Sequence, residues 1–203
     1  MPLYKSNAPT ATAQSLIWKI EEPESFFSKQ LGFSGHQKTE PRRLEYLATR
    51  YLLQHLIPDI SFSDLKCHPE GKPFLDNSHL HFSISHSFPF VAVALDQQPI
   101  GIDIQVFQQK IIRLQQKFLS PEEQILFKNE IEKITLAWTA KEAAFKWFGE
   151  GKVDFIQHMP IRKLAFSEQN AHLEMDFLRT NPQQKLLLTG AIEPEFAWSV
   201  TIA

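Results

Sequence analysis

The sequence predicts an α+β fold built from two related halves that meet near residue 100. Three features of this 203-residue chain carry the expectation. Segments of period-two hydrophobicity are interleaved with two long helical segments, the pattern of sheets that carry helices on one face. The order runs strand, helix, strands, and then helices followed by strands again. A weak internal similarity relates FPFVAVAL (88–95) to PEFAWSVTIA (194–203), each downstream of a long helix, one containing Tyr46-Leu47-Ala48 and the other Trp138-Thr139-Ala140.

In chain order, a polar opening leads into SLIWKIE (15–21), whose alternation predicts a strand, and Pro23-Glu24-Ser25-Phe26-Phe27 opens a short helix. Leu44, Leu47, Leu52 and Leu56 fall close to helical spacing over 40–56, with Pro58 as the stop. Glu70 to Leu75 reads as a turn around Gly71, and 79–87 (HLHFSISHS) as a period-two strand interrupted by Phe88-Pro89-Phe90. Val91–Leu95 and Ile100–Val106 are predicted to form a hairpin across Asp96-Gln97-Gln98-Pro99. Residues 108–133 turn helical, and Ser120-Pro121-Glu122-Glu123 is a capping box with proline at the first helical position. A last helix is expected over 135–148, ended by Gly149-Glu150-Gly151, followed by strands over 161–166, 172–178, 185–192 and 197–202.

Composition narrows the function. With 43% hydrophobic and 22% charged residues the chain belongs with globular rather than disordered proteins. A formal net charge of −2, without a run of Lys or Arg, supplies no attraction for a polyanion, so nucleic acid is not expected as a partner. The longest wholly apolar run, Phe90 to Leu95, is far short of the ~20 residues that span a bilayer. The start, MPLYKSNAPTATAQ, has no export or transit pattern, and the single cysteine, Cys67, closes no intramolecular disulfide. A cytoplasmic setting is therefore expected.

Three places could carry chemistry. In Gly101-Ile102-Asp103-Ile104-Gln105-Val106, the strand period sends the aliphatic residues to one face and Asp103 with Gln105 to the other, which is either solvent or a site. In WTAKEAAFKW (138–147), Glu142 and Lys146 are four apart and form either a simple helical ion pair or part of a buried charged site. Ser85-His86-Ser87 lies where a strand breaks, and its histidine serves either a phosphate or the solvent. No G-x-S-x-G, P-loop or H-E-x-x-H pattern is present, which argues against a hydrolase triad, a P-loop NTPase and a zinc site.

Taken in order, Gly71-Lys72-Pro73, Phe82-Ser83-Ile84-Ser85-His86-Ser87, Gly101-Ile102-Asp103-Ile104-Gln105 and Trp138 to Lys146 (WTAKEAAFK) resemble the motifs of the 4′-phosphopantetheinyl transferases. The likeness is to the larger, surfactin type and covers residues 71 to 146; the first 40 and last 50 residues match in strand pattern only. It implies a pseudo-twofold arrangement of two similar α+β halves with antiparallel sheets. Residues 1–100 would form the half on the nucleotide side of coenzyme A, and 101–203 the half with the metal and catalytic helix.

The implied reaction moves the phosphopantetheine arm of coenzyme A to a serine of an apo acyl or peptidyl carrier protein, with Mg²⁺, and releases adenosine 3′,5′-bisphosphate. Asp103 and Glu142 resemble the metal-binding carboxylates, with Glu142 also a candidate acceptor for the serine proton. Lys141 and Lys146 resemble the phosphate-contacting lysines, with Lys146 neutralising charge on the leaving side. Ser85 and His86 would touch the phosphates of coenzyme A, Lys72 and Pro73 would line its nucleotide end, and Arg50, with Arg43 as competitor, would meet the 3′-phosphate. Gln105 stands where family members commonly carry Glu, so a third metal ligand keeps a carbonyl oxygen but loses its charge. Lys110, Arg113 and Lys117, among Ile111, Ile112 and Leu114, would receive the acidic helix of the carrier. A monomer is expected. The alternative is a module that binds coenzyme A or the carrier and has lost its chemistry.

Overall fold

The computed structural model describes residues 3–76, 78–167 and 170–202. Its first half holds strands β1 (Leu3–Asn7) and β2 (Gln14–Lys19), helices α1 (Glu24–Leu31) and α2 (Glu40–Leu56), and strands β3 (Leu65–Cys67), β4 (Pro73–Leu75), β5 (His81–Ser87) and β6 (Phe90–Asp96). The remainder holds β7 (Ile102–Val106), α3 (Lys110–Leu114), a 3₁₀ turn over Gln115–Lys117, α4 (Pro121–Phe127), α5 (Ile131–Phe148), β8 (Ile161–Ser167), β9 (Asn170–Phe177), β10 (Gln184–Ile192) and β11 (Phe196–Ile202). One antiparallel sheet has the order β1-β2-β6-β5, a second the order β7-β11-β10-β9-β8, and β3 pairs β4 in a small ribbon. The α+β class with two antiparallel sheet-bearing halves is thus the architecture observed.

Alternation along the strands builds the layers. In the first sheet Trp18, Val91 and Val93 face α2, where Leu47, Leu52 and Leu53 complete a core. The opposite face offers Ala13, Ile17, Phe90, Ala92 and Ala94 to Ile102, Ile104, Trp198 and Val200 of the second sheet. The far face of that sheet packs Leu173, Met175 and Leu188 against Ala140, Ala143 and Ala144 of α5. Helices, sheet, sheet and helices therefore succeed one another. Each half repeats one local plan, with α2 lying over β6 and α5 over β10 and β11.

The start of β7 is squeezed between β11 and α5. Gly101 N–H donates to Thr201 Oγ1 at 3.0 Å, and Gly101 O accepts from Thr201 N at 3.0 Å. A Cβ on Gly101 would come within 1.9 Å of Ala143 O, so only glycine lets the helix lie this close.

The second long helix starts at Ile131, four residues before the expected Thr135, and ends at Gly149 in a left-handed conformation. The capping box forms as expected: Glu123 N donates to Ser120 Oγ and Ser120 N to Glu123 Oε2. Two expectations fail. The hairpin of 91–95 with 100–106 does not form, because β6 is sandwiched between β2 and β5 and has no free edge, while β7 pairs with β11. The hairpin that does form joins β5 to β6 across Phe88-Pro89. The polar opening is in fact an edge strand, β1, held by pairing to β2 and by Tyr4, whose ring meets Phe90 and Phe196 edge-on.

Gly101→Ala is expected to cost at least ~2 kcal/mol in urea unfolding, since α5 must retreat. Gly151→Ala, whose added Cβ meets nothing within 4 Å, should stay within ~0.5 kcal/mol of the parent.

Candidate active site

Strand β7 presents Asp103 on the face away from the inter-sheet core, toward α5. Its carboxylate is nearly buried, with 9% side-chain exposure, and two groups hold Oδ1: Lys146 Nζ donates at 2.7 Å and Ser85 Oγ at 2.7 Å. Lys146 Nζ also donates to Ile102 O at 3.1 Å. The lysine on α5 is thus tied to β7 instead of pairing with Glu142 one turn earlier, and the simple helical ion pair is not what this helix builds.

Glu142 lies beside this cluster. Burial first and the negative charge of Asp103 second push its carboxyl up to about 7, against the opposing pull of Lys146. Two carboxylates therefore share one partly buried place with a single lysine, and one carboxyl holds its proton well above the usual range. Gln105, next on the same face of β7, donates Nε2 to Ser87 Oγ at 3.2 Å and to Val106 O at 3.1 Å, which leaves Oε1 as its free acceptor.

Among the described residues no group of three or more His, Cys, Asp or Glu side chains is arranged for a metal. The donors present are two carboxylates and one amide oxygen. That set suits Mg²⁺, a hard cation that commonly takes one or two protein carboxylates and completes its octahedron with waters and substrate phosphates. The raised Glu142 carboxyl is the physical sign of the fit, because a nearby divalent charge would relieve the repulsion that holds the proton there.

Two recesses flank Ile84 of β5. One, of about 190 Å³, is lined by Lys72, Pro73, Phe145 and Lys146. Lys72 Nζ donates to Trp147 O at 2.9 Å, placing its charge at the C-terminal end of α5, where the helix dipole favours a cation. Burial pushes its ammonium pKa down. The other recess, of about 260 Å³, is lined by Arg42, Glu45, Tyr46, Arg50 and His86. The Arg50 guanidinium lies 3.5 Å from the centroid of the Tyr46 ring and donates to Tyr46 O at 3.3 Å. It forms no ion pair with an acid among the described residues, so its charge remains available to an anion. Glu45 is buried and accepts from Phe88 N at 3.2 Å and from Arg42 at 3.1 Å. Its Oε2 also lies 3.4 Å from His86 Nδ1. Burial pushes the His86 imidazole down, with Glu45 opposing and Arg42 and Lys146 reinforcing the shift.

The structure brings Asp103, Glu142 and Lys146 together, with Gln105 on the same face of β7, and Lys146 shares a recess with Lys72 and Pro73. Arg50 and His86 share the neighbouring recess. Two expected phosphate contacts are corrected. Lys141 is fully buried and donates to Phe118 O at 2.7 Å, Phe155 O at 2.9 Å and Glu123 Oε2 at 2.9 Å, so no proton remains for a ligand. Ser85 has its one proton committed to Asp103. Arg43 binds Glu24 and Gln37 O and serves the fold. The sequence reading missed Arg42 and Glu45, although their i,i+3 spacing on α2 was a visible sign.

Residues 99–194 match the 4′-phosphopantetheinyl transferase superfamily. The 4′-phosphopantetheinyl transferase gsp of Aneurinibacillus migulanus is 34% identical over 113 residues, 53% of this chain and 47% of that protein. The 4′-phosphopantetheinyl transferase Sfp of Bacillus subtilis (strain 168) is 36% identical over 99 residues, 46% of this chain and 43% of that protein. A relative from Haemophilus influenzae aligns more widely, at 26% identity over 159 residues, 72% of this chain and 68% of its own length. The chain thus spans about half the length of the two more similar of these relatives. The matched stretch contains β7 and α5 entire, the strand and helix that bring the two carboxylates together, and over it the chain is similar to the 4′-phosphopantetheinyl transferase superfamily.

Proposed function

We propose that the protein transfers the 4′-phosphopantetheine arm of coenzyme A to a serine of an apo acyl or peptidyl carrier protein, with Mg²⁺, and releases adenosine 3′,5′-bisphosphate. The observation that carries the reading is the convergence of Asp103, Glu142 and Lys146 from β7 and α5, with Lys146 also lining the recess of Lys72. Residues 1–100 supply the nucleotide side: Arg50 and His86 meet phosphate, and Lys72 with Pro73 lines the nucleotide end. Residues 101–203 supply the reacting end. The carrier serine oxygen bonds to the β-phosphorus of the diphosphate, the bond from that phosphorus to the bridging oxygen breaks, and the nucleotide leaves with the electron pair. Glu142 takes the serine proton, directly or through a water. Lys146 offsets charge on the leaving nucleotide. Asp103 and Glu142, with Gln105 Oε1, would hold Mg²⁺, which when bound neutralises the diphosphate and draws its oxygens into place.

Lys110, Arg113 and Lys117 are exposed on α3 and the turn after it, beside a recess of about 190 Å³ walled by Gln105, Ile111 and Trp138. A cationic rim around an apolar pocket suits an acidic helix of the carrier. No helix among the described residues is long and apolar enough to cross a membrane. One observation, Gln105 in place of an acid, favours a second reading as a binding module without chemistry.

Incubation with coenzyme A, Mg²⁺ and a panel of apo carriers, followed by weighing the carriers, separates the readings. The expected result is a gain of one phosphopantetheine, lost in Asp103→Ala and Glu142→Ala proteins that still fold by circular dichroism. Binding of coenzyme A without any gain in carrier mass selects the module instead. Reversing Lys110, Arg113 and Lys117 to Glu should raise KM for the carrier about tenfold or more and leave KM for coenzyme A unchanged.

The Glu142 carboxyl also predicts a stability signature. Its folded pKa is about 7 against an ordinary 4.5, so the folded protein binds the extra proton between those values. Its destabilising contribution is therefore absent below pH 4.5, grows through the window and is complete above pH 7. In metal-free protein, Glu142→Gln should raise Tm at pH 8 by roughly 2–8 °C, with the gain fading toward pH 4.5.

A further inference from the structure

Serines at 83, 85 and 87 alternate along β5 with Phe82, Ile84 and His86, so the three hydroxyls share one face. That face lies against the edge of β7 not taken by β11. Ile102 N donates to Ser83 Oγ at 3.1 Å, Ile104 N to Ser85 Oγ at 3.2 Å and Val106 N to Ser87 Oγ at 3.1 Å. Side-chain oxygens stand where the carbonyls of a neighbouring strand would. A carbonyl, however, has no proton to give, whereas a hydroxyl does. Ser85 gives its proton to Asp103 Oδ1 at 2.7 Å, and Ser87 accepts from Gln105 Nε2 at 3.2 Å. Ser83 contacts neither of these two site residues.

We infer that Ser85 is a positioning residue for Asp103. Its hydroxyl is fixed from below by the backbone of β7 and in turn fixes one carboxylate oxygen. Lys146 binds the same oxygen, and Oδ2 has no hydrogen-bond partner among the described residues. The carboxylate is thereby locked about χ2 with Oδ2 presented to a ligand. Ser87 does the equivalent for Gln105, turning its amide so that Oε1 is the outward atom. The inference rests on the reading of Asp103 as a Mg²⁺ ligand.

Ser83 makes the control, because Ser83→Ala removes the same kind of backbone contact and leaves Asp103 untouched. Binding of Mn²⁺, a paramagnetic stand-in for Mg²⁺, is measured by electron paramagnetic resonance in the presence of coenzyme A, alongside urea midpoints for each variant. Ser83→Ala and Ser85→Ala should lower the midpoint by similar amounts. Only Ser85→Ala should weaken Mn²⁺ binding, by about 10-fold or more, and Ser85→Thr, which keeps the hydroxyl, should restore it. Should Ser85→Ala fail to fold, Ser85→Cys, a much weaker donor, takes its place in the same comparison. Equal Mn²⁺ affinity in the two alanine variants would overturn the inference and leave the reading of the site standing. Parent protein that binds no Mn²⁺ would overturn that reading, and the inference with it.

Discussion

The junction of the two sheets depends on how the free edge of β7 is satisfied. An edge strand buried against another sheet would leave amide groups without partners, a cost of about 1–3 kcal/mol each. Here Ser83, Ser85 and Ser87 accept those amides. The adjoining faces mix small side chains, Ala92 and Ala94 among them, with Ile17, Phe90 and Trp198. With β7 pinned between serine hydroxyls and β11, its alternation sends Ile102 and Ile104 inward and Asp103 and Gln105 toward α5.

Helix α5 carries two charged clusters that differ in one respect. Lys141 and Glu123 close on each other in the core, with Phe118 O, Phe155 O and Ile161 N taking up the remaining hydrogen bonds. That cluster ties α5 to α4 and β8 and has no capacity left. The second joins Asp103, Glu142 and Lys146, where two acids face one base and a carboxyl is pushed up to about 7. A complete cluster holds the fold, and an incomplete one, with an excess of acid, lies a single turn further along. The three charges in WTAKEAAFKW therefore have two unrelated explanations, separable only once their partners are known.

Much of the local structure was legible. The expected bounds of α2, residues 40–56, coincide with the observed ones because apolar spacing and Pro58 act within a few residues of the helix. The capping box over Ser120 to Glu123 is likewise a local device. Misreadings arose where pairing with another strand decides the outcome. The hairpin of β6 with β7 looked right by turn chemistry, yet β7 pairs with a strand more than ninety residues later. The sequence of β1 carries no amphipathic signal of its own, and its strand state comes from β2. Asp103, Glu142 and Lys146 could be singled out along the chain and lie together in the structure, whereas Lys141 is buried in the core, which a helix period does not reveal because it cannot tell which neighbour faces a lysine.

By itself the sequence determined the class of the fold, the placement of its long helices, and the two acids, one lysine and one amide that could attend a diphosphate. Periodicity and residue chemistry act over a few bonds, so they can be read along the chain. Only the tertiary structure decided that Lys146 reaches Asp103 and not Glu142, that Lys141 belongs to the core, and that Ser85 gives its proton to a carboxylate. Those outcomes depend on which edge of β7 is free and on how closely α5 approaches Gly101, distances set by packing between segments far apart in the chain.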